Sequence, residues 1–152
     1  MKNSLMAAGL AAAATVLTSG AALAQAKPEI LVKQRQSAMT LIGKYWGPMA
    51  GMMQGKIPYD ANVIQRNAGF LDNLSRMPWD GFAESTKDVK SAALPTIWSD
   101  SAKFREAASR LENEASRLVQ VSRSGDEAAV KAQLGAVGKA CGGCHNDFRA
   151  KQ

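Results

Sequence analysis

The sequence predicts an all-α protein, an antiparallel four-helix bundle, and three observations carry that prediction. Apolar residues recur at helical spacing in four separate segments, strand-like alternation is almost absent, and short Gly- or Asp-containing links join the first segment to the second and the third to the fourth. Short links favour antiparallel neighbours.

The first helix is expected from Pro28, a good first-turn residue, through Leu31, Ala38, Leu41, Ile42, Tyr45, Trp46 and Met49 to Met53, with Gly55 as its stop. Gly47-Pro48 falls inside it and predicts a kink, because Pro removes a backbone donor and crowds the preceding turn. The second follows Pro58-Tyr59, with Asp60 as N-cap, and runs to about Ser75. From Met77 to Trp98 the chain carries Pro78, Gly81 and Pro95 with little periodicity. It reads as a long connection, and long connections in compact domains usually serve function. The third helix is expected from Ser99 or Asp100, with Phe104, Ala108, Leu111, Ala115, Leu118 and Ser122 in one stripe. A capping box read from Ser124 to Glu127 opens the fourth, which continues through Val130, Leu134, Val137 and Cys141 to Phe148.

Ahead of the helices stands an export signature. Lys2 precedes an apolar run from Leu5 to Leu17, and small residues lead to Ala22-Leu23-Ala24, the pattern of a cleavable secretory signal. Removal of residues 1–24 is expected, leaving one domain over 25–152 in an exported, periplasmic protein. The apolar run is shorter than the roughly 20 residues that span a bilayer, and no later segment is apolar enough to do so. The 152-residue chain carries 19 Lys and Arg against 13 Asp and Glu, a net charge of +6. The cations are scattered and not interleaved with aromatics, so nucleic-acid binding has little support. An acidic protein partner is compatible with the charge.

The chemistry of the chain is concentrated in the CGGCH segment. Cys141, Cys144 and His145 stand at offsets of zero, three and four, so at about 100° per residue they share one helical face and meet one flat ligand. Each thiol can add to a haem vinyl group while the adjacent imidazole reaches the iron, which is why this spacing reads as c-type haem attachment. A disulfide would use the two cysteines but has no need of His145. Zinc usually takes four protein ligands, and the chain has two Cys and one His in all. The single His also excludes bis-His ligation, and neither a general base nor a second cofactor motif argues for an enzyme.

With CGGCH at the C-terminal end of a four-helix bundle, the chain resembles the class II cytochromes c, and among them the cytochromes c′. The resemblance runs over residues 26–151, through KQRQSAMTLI, GKIPYDA, PWDGF, PTIWSD and GKACGGCHNDFRAK. It implies one covalent haem c on Cys141 and Cys144, with His145 as the axial iron ligand. It also implies a basic residue beside that ligand at Arg149, which helical spacing independently puts on the face of His145. A polar pair at the haem edge falls on Arg35 and Gln36, with Arg35 suited to a propionate.

Met39 takes the family's distal position, and there the resemblance divides. Met39 either fills the space opposite His145 without bonding, leaving five-coordinate iron, or serves as a sixth ligand in a low-spin electron carrier. RQSAM and PWDGF look more like the five-coordinate group. That reading implies binding of small diatomic gases, nitric oxide and carbon monoxide, together with single-electron exchange with periplasmic redox proteins. The family also implies a homodimer through the first two helices, whose Met and aromatic residues supply contact surface. Met49 and Met52 are expected in the core or at that contact, Met53 is too distant to share iron with Met39, and nothing selects Met77 as a ligand.

Overall fold

The computed structural model describes residues 26–151, so the expected signal, 1–24, lies outside the described residues. The four expected helices are present. Helix α1 spans Pro28–Met53, α2 spans Ala61–Ser75, a single turn α3 spans Thr96–Ser99, α4 spans Ser101–Val121 and α5 spans Glu127–Phe148. The long helices form an antiparallel bundle in which α1 packs on α2, α2 on α4, α4 on α5, and α5 back on α1.

Helix α1 begins with Pro at its first turn and runs through Pro48 without a break. Pro48 has no N–H to offer the turn before it. Beside that gap, the buried Asn67 of α2 donates its Nδ2 to the Tyr45 carbonyl at 3.2 Å. The helix stops where Gly55 turns to φ +69°. There the Gly55 and Lys56 amides donate to the Met52 and Gly51 carbonyls at 3.1 and 2.9 Å, which closes the helix end in a Schellman motif. Asp60 caps α2 as expected, accepting from the Asn62 and Val63 amides at 2.9 and 3.1 Å.

The cap of α5 corrects the sequence reading. Asp126, not Ser124, accepts from the first-turn amides, those of Ala128 and Ala129, at 2.9 and 3.0 Å. Ser124 lies two residues too early. It donates to the Val121 carbonyl at 2.8 Å and accepts from the Asp126 amide, closing the end of α4.

The main core joins Ile42, Met49 and Met52 of α1 to Ile64, Ala68 and Leu71 of α2, Leu111, Ala115 and Leu118 of α4, and Val130, Leu134 and Val137 of α5. Met49 and Met52 are therefore core residues. A polar staple joins α4 to α5: the buried Gln133 donates to the Glu114 carbonyl and carboxylate at 3.0 and 2.6 Å. Among the described residues no helix is long and apolar enough to cross a membrane.

Segment 77–98 is more ordered than its sequence suggests. Two 3-10 turns, Trp79–Phe82 and Glu84–Thr86, lie against α1. Its other end pairs with the end of α5: the Leu94 amide donates to the Phe148 carbonyl at 3.0 Å and the Ala150 amide to the Ala92 carbonyl at 2.9 Å. The connection thus straps α1 to the last turn of α5.

Candidate functional site

The last two turns of α5 carry Cys141, Cys144 and His145 inside one uninterrupted helix, so all three project from one face. Both cysteines are half-buried and unbridged. Cys141 packs against the main core, whereas Cys144 packs against a second cluster built from Ile97, Phe104 and Phe148 with Trp79, Phe82 and Trp98 around them. Burial pushes the Cys141 thiol up, and burial with the neighbouring Cys141 and Asp147 takes Cys144 to about 11. With no metal bound, both sulfurs are neutral thiols near pH 7. Among the described residues no three Cys, His, Asp or Glu side chains converge on a point where they could hold a metal ion.

His145 is exposed, but partial burial and then the nearby Arg149 cation lower its pKa. A neutral imidazole is the form that ligates iron. Arg149 itself requires a correction. It is not on the helix: α5 ends at Phe148, and Arg149 is extended at φ −126° and ψ 131°, its amide donating to the His145 carbonyl at 3.2 Å. Pairing with Ala93 draws the chain out of helical geometry at Arg149, although its amide still closes the last helical turn on the His145 carbonyl.

On α1, Arg35 is 3% exposed. Its guanidinium donates to the Gly81 carbonyl at 2.6 Å, the Thr86 hydroxyl at 2.9 Å and the Ser91 hydroxyl at 3.0 Å, and lies 4.4 Å above the Phe82 ring. Among the described residues it makes no ion pair, and burial lowers its pKa. Gly81 has to be glycine, because a Cβ there would stand 2.7 Å from Arg35 Cβ and 2.9 Å from the Leu31 carbonyl oxygen. Gln36 is exposed beside Arg35, and Met39, one turn further along, is half-buried against the main core.

The aromatic cluster was not legible as a site in the sequence. Trp79 stacks on Phe82 at 6.3 Å between centroids and meets Phe104 edge-on at 5.9 Å, while Phe104 meets Phe148 edge-on at 5.2 Å. The signal was the pair of aromatics three apart in PWDGF, inside a segment without periodicity. The Trp79 Nε1 is buried and has no hydrogen-bond partner among the described residues.

These features fit haem c. Two neutral thiols and an imidazole share one helical face, Cys144 adjoins a wall of aromatic rings suited to a flat apolar macrocycle, and a buried guanidinium without a carboxylate suits the macrocycle's acidic groups. Three hydrogen bonds and the Phe82 ring offset part of the cost of burying this cation, and an anionic ligand would supply the counter-charge.

Comparison with known proteins agrees. A family model described as Cytochrome C' matches residues 30–149. Cytochrome c' of Rubrivivax gelatinosus is 40% identical over 126 residues, covering 82% of this chain and 98% of that protein. Cytochrome c' of Halomonas halodenitrificans is 41% identical over 132 residues, covering 83% and 100%. Among solved structures, cytochrome c prime from Shewanella frigidimarina superposes with a TM-score of 0.80 at 31% identity, over 84% of this chain and 99% of that one. A nitric oxide complex of a variant of cytochrome c prime from Alcaligenes xylosoxidans superposes at 0.77 with 38% identity, over 84% and 99%. Fold, cysteines and sequence agree, and the chain belongs to the cytochrome c′ family, whose cofactor is covalently bound haem c.

Proposed function

We propose that Cys141 and Cys144 carry the haem through thioethers, that His145 gives the iron its single axial nitrogen, and that the protein binds small diatomic ligands and exchanges single electrons. The observation that carries this reading is the CGGCH face on the last helix of the bundle, with neutral sulfurs and a neutral imidazole beside an aromatic wall. Haem c supplies an iron that binds such gases and changes charge by one electron.

The chain's own residues set the terms. Cys141 and Cys144 fix the cofactor in place. His145, on the same turn as Cys144, delivers Nε2 or Nδ1 from the same helix. Arg35 holds a positive charge for a propionate, with exposed Gln36 beside it at the haem edge, and Arg149 keeps a cation near His145. Met39 is engaged by the core, which supports its role as a non-bonding filler on the face opposite His145. With no second His in the chain, that face offers no imidazole donor to polar dioxygen. Nitric oxide and carbon monoxide depend less on such help. The nitric oxide complex formed by a variant of the Alcaligenes xylosoxidans relative supports the same ligand here.

Three further elements complete the proposal. Residues 1–24 direct export to the periplasm and are removed. There the protein exchanges electrons with redox proteins and performs no catalysis of its own. It pairs as a homodimer through α1 and α2, where Leu41 and Phe70 stay 42% and 43% exposed, with the Tyr45 ring tilted against that of Phe70 at 4.6 Å between centroids. Since Met49 and Met52 are core residues, the contact rests on these side chains and not on the methionines.

Titrating the reduced protein with carbon monoxide and nitric oxide tests the reading. A saturable shift of the haem absorption bands with each gas is expected, and a protein whose bands respond to neither gas refutes it.

A further inference from the structure

Helix α5 relies on a distant segment to close its end. Helix α1 turns through Gly55 and satisfies its last carbonyls from the residues that follow. Among the described residues no such positive-φ residue stands at the end of α5, and Arg149 leaves extended. The last four carbonyls of a helix have no partner inside it, and in α5 these belong to His145, Asn146, Asp147 and Phe148. The Arg149 amide meets that of His145 at 3.2 Å. The strap meets two more: the Thr96 hydroxyl donates to the Asp147 carbonyl at 3.0 Å across 51 positions, and the Leu94 amide donates to the Phe148 carbonyl at 3.0 Å.

The same stretch of strap is tied to α1 through one side chain. Ser91 Oγ accepts from the Arg35 guanidinium at 3.0 Å and from the Ala93 amide at 3.3 Å, and Ala93 is the residue paired with Arg149. A continuous path therefore runs from α1 through Ser91 and Ala93, across the bridge, to the turn that carries His145. Position matters there. An imidazole is joined to its backbone by two torsions, so any displacement of the turn carries the ring nitrogens with it. Metal sites are held to within about 0.5 Å by the groups that support their ligands, whereas helix ends fray. His145 stands three residues before the end of its helix at Phe148.

We propose that Ser91 and Thr96 are positioning residues for the axial ligand: the clasp that they make between the strap and α5 fixes the direction in which His145 meets the iron. The inference rests on the haem reading above and adds two residues that lie outside the CGGCH segment. Thr96 acts through the Asp147 carbonyl, two residues beyond His145, and Ser91 acts through the register of the strap at Ala93. Both reach the imidazole through its backbone.

The test uses the exported holoprotein with Ser91→Ala and Thr96→Val, which remove one hydroxyl each, and with Ser91→Thr and Thr96→Ser, which keep it. Resonance Raman spectra of the ferrous protein report the stretching band of the bond between iron and the axial imidazole. A tilted or loosely held imidazole lowers and broadens that band. Lower and broader bands are expected in Ser91→Ala and Thr96→Val, with parental bands in the pair that keeps the hydroxyl and unchanged far-UV circular dichroism in all four. Should Ser91→Ala fail to fold, Thr96→Val, at an exposed position, decides alone. A lowered urea midpoint with the band unmoved makes the clasp a stability device only; that result overturns the proposal and leaves the haem reading intact. Parent protein without covalent haem overturns both.

Discussion

Gly81→Ala probes the strap at the point where it is clamped to α1. The added Cβ would lie 2.7 Å from Arg35 Cβ and 2.9 Å from the Leu31 carbonyl oxygen, both fixed to the helix backbone. Carbon pairs rest at about 3.5–4.0 Å, so the 3-10 turn and α1 must separate by roughly 0.8 Å or more. Overpacking of this kind costs about 1–3 kcal/mol. The separation also stretches the 2.6 Å bond from Arg35 to the Gly81 carbonyl, a charged hydrogen bond worth about 1.5–3 kcal/mol when lost outright. Against these stands about 0.4–1 kcal/mol gained by restricting the unfolded chain. A net loss of about 2–3 kcal/mol is expected, read as a fall in the urea midpoint at unchanged slope. A change below about 0.5 kcal/mol would show that the strap is not clamped through Gly81.

The corrected cap of α5 predicts that Asp126→Ala costs about 1 kcal/mol in the same assay while Ser124→Ala costs clearly less, because only Asp126 accepts from the first-turn amides. Met39→Ala should speed carbon monoxide binding to the reduced protein by roughly tenfold, equivalent to about 1.4 kcal/mol of barrier, in flow experiments; an unchanged rate counts against a steric role. In chain made without haem attachment but retaining helical circular dichroism, the Cys144 thiol should titrate near 11, since burial disfavours its thiolate. Its alkylation rate should therefore keep rising with pH beyond the roughly 8.5 of an ordinary cysteine. A plateau near pH 9 would contradict that burial. Sedimentation at micromolar concentration should give a dimer mass, and Phe70→Glu together with Leu41→Glu should give a monomer.

The helices were legible because their signals are local. Pro28, Gly55, Asp60 and the stripe from Phe104 to Leu118 act within one or two turns, and each did what its residue type dictates. The CGGCH face was legible for the same reason, since three residues on one turn need no tertiary information. The cap at Asp126 was misplaced because two acceptors stand within three residues of the start, and only the path of the chain through Gly125, at φ +76°, decides between them. Arg149 was placed by a periodicity that pairing with Ala93 interrupts. The strap was unreadable because its order comes from distant partners: Arg35 lies 46 residues from Gly81 and 56 from Ser91. Segment 77–98 therefore looked like a loop while folding into the wall of the candidate site.

The central claim is a haem held by Cys141 and Cys144 with His145 as the only axial ligand from the chain, and Met39 near the iron but not on it. The electron paramagnetic resonance spectrum of the purified ferric protein at neutral pH tests it most directly. A high-spin axial signal from five-coordinate iron that persists in Met39→Ala is expected. A low-spin rhombic signal that turns high-spin only when Met39 is replaced would contradict it and make Met39 the sixth ligand.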